Sequence, residues 1–403
     1  MQRKHPMDVA SPAFIQQDYA HYRWMRAEAP VYRGRYGRLF NAYMLSRYAD
    51  VSATLKDPRL VRDRRNALPG ASRLPIWLPK SLQALTRSMI VSDEPDHRRL
   101  RTLVHKAFTP RVVAGLAQRI EALTHELLDA AERAGTTDLV TAYALPIPMT
   151  VIAELIGVPR DDRPRFLAWS QRAVGVPSAL GFVGWYRALR ATMGYIEGLI
   201  AERRRNPQDD LLTALVQAEE AGDQLDKEEL LSLVFLLLIA GYETTVNLIA
   251  NGTRVLLDHP EQLAALRAEP ALIEGAIEEI VRYDGPVQAT KPCYPSEDLT
   301  LHGVTIPRGA MVMLLLGAAN RDEAAFPDPD RFDIRRTPNR HLGYGHGIHY
   351  CLGAPLARLE GSIALTTLIG RYPNLRLAVA PERLRYKAMP LFHRLETLPV
   401  RFG

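Results

Sequence analysis

Apolar residues recur at helical spacing through most of this chain. From Arg111 to Gly135 the segment RVVAGLAQRIEALTHELLDAAERAG repeats them three and four apart and ends on a glycine, which predicts a helix. LPIPM then breaks the pattern, and TVIAELIG predicts another helix beyond it. Residues 161–205 read as helices with a join between Gly175 and Gly184. The longest pattern opens at LDKEEL. There Asp226 is placed as an N-cap with Glu229 three residues on, a capping-box arrangement. It runs to Asp258 and stops before Pro260, a span of about 50 Å at the helical rise. Its first half is apolar on every side, so this helix should be buried and cross the centre of the molecule. Ala271 to Gly285 predicts one more helix.

Strand signals are fewer. The first ninety residues are rich in Pro and Arg, with short strand-like runs such as NAYMLSRY. LTLHGVTIPRGAMVMLLLGA reads as strands with turns at His302-Gly303 and Pro307 to Gly309. Asn320 to Tyr350 shows little periodicity, and loops this long inside a domain are usually functional. It ends at Cys351, and LGAPLARLEGSIALTTLIGRY predicts a helix directly after it. With no repeat and no linker, residues 1–403 read as a single domain, mainly α with a minor β region (α+β). Its strands fall mainly in 30–60, 287–320 and 375–403, and its helices in 95–285 and 351–371.

Composition narrows the class. Of 403 residues, 47% are apolar and 24% charged, ordinary for a globular chain that can enclose a large cofactor. The net charge of +6 reads as a solvated surface or as a basic patch for an acidic protein. No basic run carries interleaved aromatics, which argues against nucleic acid. The N-terminus is polar and without a signal-peptide core. LLSLVFLLLIAG, Leu230 to Gly241, is too short to span a membrane and is closely followed by Glu243. A cytoplasmic protein with no membrane association is therefore expected. Two cysteines, Cys293 and Cys351, exclude a disulfide framework and a four-cysteine iron–sulfur cluster.

The chemistry concentrates in GYGHGIHYCLG, Gly343 to Gly353. Glycines at 343, 345, 347 and 353 permit unusual φ values and close approach to a flat ligand. Their spacing is not that of a dinucleotide fingerprint. Cys351 stands at a helix start, where free N–H groups favour a thiolate. One cysteine cannot build a zinc site, but it can be the single axial ligand of a haem iron. An isolated cysteine beside a glycine-rich turn would more simply be structural; this spacing points to the ligand. FxxGxxxCxG is the haem-ligand signature of the cytochromes P450, the haem-thiolate monooxygenases. The segment resembles it through Tyr344, Gly347, Cys351 and Gly353, with Tyr in place of the usual Phe. A hydroxyl beside the sulfur would bear on the hydrogen bonding around the thiolate and so on the iron potential.

Other segments extend the resemblance over nearly the whole chain, to the soluble bacterial type. AGYETT, Ala240 to Thr245, resembles the family's acid–alcohol pair. That implies Thr244 as the hydroxyl that hydrogen-bonds dioxygen, Glu243 as a proton relay, and Gly241 as a place where the helix opens. A lone Glu on a solvated groove is the plainer reading. EEIVR resembles ExxR, with Glu279 and Arg282, and DPDRFD would add Arg331 as the third member of an ion-pair network that fixes the cysteine loop. As a bare i,i+3 pair, Glu279 and Arg282 would be worth little. His97, Arg101 and His349 match the family's cations and donors for the haem propionates. A further propionate arginine often follows the segment PVQAT; this chain has KPCYP there, with Lys291 or Cys293 in its place.

The resemblance thus implies one mostly helical fold holding haem b between the long central helix and the cysteine loop. Cofactor-binding residues would be Cys351, which also ligates the metal, with His97, Arg101, His349, Tyr344, Gly345, Gly347, Gly353, Ala240 and Gly241. Glu243 and Thr244 would be catalytic. The implied reaction inserts one oxygen atom from dioxygen into a hydrophobic small molecule. The pocket would take residues of the 60–92 segment with Ile239, Val287, Ala289, Leu391 and Phe392. Terpene, steroid, fatty acid and macrolide-like substrates fit equally. The chain has neither a flavin domain nor iron–sulfur cysteines, so a separate ferredoxin-like donor with its reductase is expected, docking on Arg98, Arg99 and Lys106. Two other readings share the haem. A peroxide-driven peroxygenase would not need the Glu243-Thr244 pair, and a haem sensor or carrier would need neither that pair nor an apolar pocket.

Overall fold

The computed structural model describes residues 7–37, 40–72, 87–133, 135–173, 181–220, 225–389 and 391–403. Helices dominate, and the longest, Lys227–Asp258, is the axis of the molecule. Its start follows from the expected cap. The Asp226 carboxylate accepts from Glu229 N at 2.8 Å, and the Glu229 carboxylate accepts from Asp226 N at 3.1 Å. The helix is long and apolar enough to cross a membrane. Here most of its apolar length is buried against the helices Pro146–Ile156 and Ala354–Arg371, in one large core cluster. That is the packing of a core helix, apolar around most of its circumference because protein covers most of it.

Local signals shift some boundaries. The Arg111–Gly135 segment is two helices, Pro110–Gly115 and Ala117–Glu132, with Leu116 at the join. Thr109 caps the first, its hydroxyl accepting from Val112 N at 3.3 Å. LPIPM is not a break. It opens the helix Pro146–Ile156, with Pro146 and Pro148 in the first turn, where a missing N–H costs no intrahelical bond. Residues 161–205 contain Arg163–Ala173 and Phe182–Arg205; the expected join falls largely outside the described residues.

The strands form small sheets. Val31–Tyr36 pairs antiparallel with Phe40–Leu45, which runs parallel to Val312–Leu314. Pro399–Arg401 lies between Thr136–Asp138 and Arg376–Leu377. Leu299–Leu301 and Val304–Ile306 form the expected hairpin. Its two turn residues, His302 and Gly303, both have positive φ, the geometry that matches strand twist. Leu60–Val61 pairs antiparallel with Tyr294–Pro295. LLLGA, read as strand, turns instead into a short helix, Leu316–Ala319.

Candidate active site

The cysteine loop is held by a buried ion-pair core. Glu279 and Arg282 are both fully buried and paired by two bonds of 2.7 Å. Arg282 donates to the carbonyls of Asn320, Pro329 and Arg331 at 3.0, 2.8 and 3.1 Å. Glu279 accepts from Asp333 N at 2.9 Å and Asn339 Nδ2 at 3.1 Å. The third member of this network is Arg336, whose guanidinium lies 3.2 Å from Glu279, and not the Arg331 side chain, since Arg331 contributes its carbonyl. Both lie in one Arg-rich loop, and the motif spacing alone does not tell which side chain turns inward. The Asn320 side chain accepts from Leu342 N at 2.7 Å, carrying the clamp to the edge of the glycine-rich turn. Glu278 is bonded to Arg358 at 2.7 Å and His341 at 3.0 Å, tying that turn to the following helix.

Within the turn, Gly345 and Gly347 have φ of 72° and 69°, where an L side chain is strained. A Cβ at Gly347 would also lie 2.7 Å from the Leu55 carbonyl. Cys351 N donates to Tyr344 O at 2.8 Å, which closes the loop on itself. Cys351 is exposed, three residues before the start of the helix Ala354–Arg371. Surrounding protein pushes its thiol up, against the backbone N–H groups of Gly353 and Ala354 and the charges of Arg101 and Arg358. The helix terminus alone therefore does not secure the thiolate; a metal cation on the sulfur would. Gly353 has open space around its Cα. The Tyr344 ring lies under the Arg358 guanidinium at 4.3 Å, and its buried hydroxyl has no hydrogen-bond partner.

Basic side chains gather beside this loop. His97 is buried, and its ring centroid lies 4.3 Å from that of His349. Arg101 donates to Ile348 O at 2.8 Å. Burial and the charges of Arg62, His97 and Arg101 push His349 down to about 3. Burial and Arg101 lower His97 too, and its Nδ1 is buried without a partner. Among the described residues no carboxylate pairs with Arg62, Arg101 or Lys291. A cluster of donors that repel one another, one of them orphaned, fits a ligand bearing carboxylates, as haem does. Lys291 is exposed, whereas Cys293 is buried in the sheet with Sγ 3.5 Å from Val312 O. Cys293 is therefore not a propionate contact.

On the central helix the surface opens at Phe235 to Leu237 and again at Ile239, Ala240, Gly241 and Thr244. The helix does not open at Gly241; it is continuous from Lys227 to Asp258. Gly241 instead serves close packing, since a Cβ there would meet the Ile152 side chain at 3.2 Å. Thr244 and Thr245 donate to the carbonyls of Ala240 and Gly241 at 2.9 and 3.3 Å. Glu243 points into the protein, not into a solvated groove. It is buried and accepts two bonds from Arg394 Nη1, at 2.5 and 2.7 Å. Arg394 gave no sequence signal, lying 151 residues away. Tyr242 is buried in the core, where burial raises its hydroxyl well above the usual range.

The expected pocket residues divide. Ile239 lies on the central helix, and Val287 packs with the core of the first sheet. Ala289, Leu391 and Phe392 line a small cavity closed by Val9, Phe14 and Tyr22. Much of the 60–92 segment, 73–86, lies outside the described residues. For partner docking, Arg98 is exposed, but Arg99 bonds the Glu229 carboxylate at 2.7 and 3.0 Å, which removes it from the expected acidic contact. The side chain of Lys106 lies outside the described residues.

Comparison with known proteins agrees with this geometry. The family model for cytochrome P450 matches residues 182–382. Cytochrome P450 107B1 of Saccharopolyspora erythraea is 46% identical over 400 residues, covering 97% of this chain and 96% of its own length. The 6-deoxyerythronolide B hydroxylase of the same organism is 39% identical over 401 residues, covering 98% of each. The solved structure of the Bacillus subtilis bacillaene polyketide synthase cytochrome P450 PksS superposes with a TM-score of 0.91. It is 39% identical and covers 98% of this chain and 100% of that one.

Proposed function

Because this chain belongs to the cytochrome P450 family, and is thus a haem-dependent monooxygenase of hydrophobic molecules, we propose the roles its own residues take in that reaction. The observation that carries the reading is Cys351. It is exposed on a turn clamped by a buried ion-pair core, beside basic donors that pair with no carboxylate among the described residues. Cys351 would ligate the iron, with His97, Arg101 and His349 meeting the propionates. When bound, the haem supplies dioxygen activation and oxygen transfer, assisted by electron donation from the thiolate. Thr244 would turn its hydroxyl from the Ala240 carbonyl toward dioxygen and present a proton there. Glu243 would pass protons to Thr244 only when its bond to Arg394 loosens. Ile239 and Ala240 would exclude water beside the substrate.

The substrate we propose is a large hydrophobic natural product of polyketide type. Two relatives point there by name, the 6-deoxyerythronolide B hydroxylase and the polyketide synthase cytochrome P450. Electrons would come from a separate acidic ferredoxin-like protein in the cytoplasm, docking near Arg98. Arg98→Glu should raise the KM for such a donor and flatten its ionic-strength dependence. An unchanged KM would reject that docking face. The central test is a carbon monoxide difference spectrum of the dithionite-reduced protein beside Cys351→Ala. A strongly red-shifted Soret band in the wild type, lost in the variant, is the expected result. A spectrum of the histidine-ligated kind in fresh wild type would overturn the assignment of Cys351.

A further inference from the structure

The family's additional propionate arginine is missing after PVQAT, and Cys293, one residue before Tyr294, is committed to the sheet. Its N and O exchange two bonds of 2.9 Å with Val312. The neighbouring strand carries what is lacking. Leu60 pairs with Pro295 and Val61 with Tyr294, so the same antiparallel register sets Arg62 opposite Cys293. The Arg62 guanidinium bonds the Lys291 carbonyl and lies 3.3 Å from that of Pro292. Its charge is the largest influence on His349 after burial, and it also acts on Lys291. Asp93 fixes its stem: the carboxylate accepts from the backbone N of Arg62 and of Asp63 at 2.7 and 3.0 Å, and from Asn66 at 2.8 Å. No carboxylate among the described residues pairs with the guanidinium itself.

We infer that Arg62, with Lys291 beside it, is the arginine that binds a haem propionate in this protein, the charge having crossed the strand pair from position 293 to position 62. The inference rests on the haem reading above. A guanidinium already held by two carbonyls keeps donors for a carboxylate and loses little freedom in binding one. The Lys291 ammonium adds charge without fixed geometry.

The test uses purified holoprotein mixed with excess apomyoglobin, with haem transfer followed by the Soret band, and the propionate bending mode read by resonance Raman. Arg62→Met should speed haem loss roughly 10- to 100-fold, the range for one charge-assisted hydrogen bond. It should also shift the propionate mode while leaving the red-shifted carbon monoxide band in place. Arg62→Lys should fall between, and Arg62→Met with Cys293→Arg should recover most of the retention. Arg59→Met, an exposed neighbour paired with Asp57, should match wild type. Wild-type haem loss and an unmoved propionate mode in Arg62→Met would overturn the inference. If Arg62→Met does not accumulate, the Lys variant decides by the same two readouts. Loss of the red-shifted band in wild type would instead strike the haem reading itself.

Discussion

The Glu243 carboxylate and Arg394 Nη1 meet at 2.5 Å, joining the middle of the central helix to the C-terminal segment inside the protein. Glu243 is 1% exposed, so removing its partner leaves an uncompensated buried charge. Arg394→Leu should lower unfolding stability by about 3–5 kcal/mol. The pair Glu243→Leu with Arg394→Leu should recover much of that loss, because an apolar pair of similar volume carries no desolvation cost. Denaturant melts of the two variants and wild type decide it. Additive losses in the double variant would mean that the two side chains act independently.

Arg331 and Arg336 differ in what their side chains do. Arg336 reaches Glu279 at 3.2 Å and also donates to the carbonyls of Pro327, Asp328 and Arg331 at 2.8, 3.2 and 3.0 Å. Arg331 offers that network a backbone carbonyl, which survives substitution. Arg336→Ala should lose roughly 2–4 kcal/mol and most haem incorporation, while Arg331→Ala should stay within about 0.5 kcal/mol of wild type. Haem-to-protein ratio and thermal melts of both variants test this. Equal damage would restore Arg331 to the network.

Much of this was legible in the chain. The capping box at Asp226 and Glu229 and the helix to Asp258 follow from local pattern, and the clustering of His97, Arg101 and His349 follows from the family resemblance. What could not be read were partners fixed only by tertiary contact. Arg394 and Arg62 belong to no local pattern, and their roles arise where distant segments are packed side by side. Pro146 and Pro148 misled for a local reason, since proline stops a helix in its interior but opens one in its first turn. Gly241 misled because a glycine in a helix can serve a neighbour, here Ile152, as well as a break.

Glu360, on the helix that follows Cys351, is fully buried, and among the described residues neither carboxylate oxygen has a geometric hydrogen-bond partner. Burial pushes its carboxyl up to about 8, against the nearby Thr245 hydroxyl. A raised acid keeps its proton in the fold, so its favourable contribution is complete below the usual carboxylate range and is lost as pH rises toward 8. Glu360→Gln should match wild type near pH 5 and exceed it by a few kcal/mol, on the order of one per pH unit, near pH 8. Melts at the two pH values should diverge in that sense; a constant difference would show that Glu360 does not titrate between them.

His393 sits between two acids, 2.6 Å from Asp284 and 3.7 Å from Asp18, with Arg254 at 2.7 Å on the far side of Asp284. The cluster ties the helix Asp18–Glu28 to the C-terminal segment. Burial alone would lower His393, but Asp284 and Asp18 outweigh it and raise its pKa. Burial pushes Asp18 up to about 6 despite His393. Asp284 is held well below the usual range by His393 and Arg254, against burial. The signs differ. The Asp284 contribution is present above the ordinary carboxylate pKa and fails on acidification. The His393 contribution is full below its ordinary pKa and is lost as pH rises through the raised one. The Asp18 cost grows from the ordinary carboxylate pKa up to about 6 and is complete above it. Stability should therefore fall up to about pH 6 through Asp18 and again above the ordinary histidine pKa through His393. His393→Gln should remove the part of the slope above the ordinary histidine pKa that Glu360 does not supply, and Asp18→Asn should remove the part below about pH 6. Thermal melts at constant ionic strength across this range decide it, and an unchanged slope in His393→Gln would place the alkaline loss elsewhere in the protein.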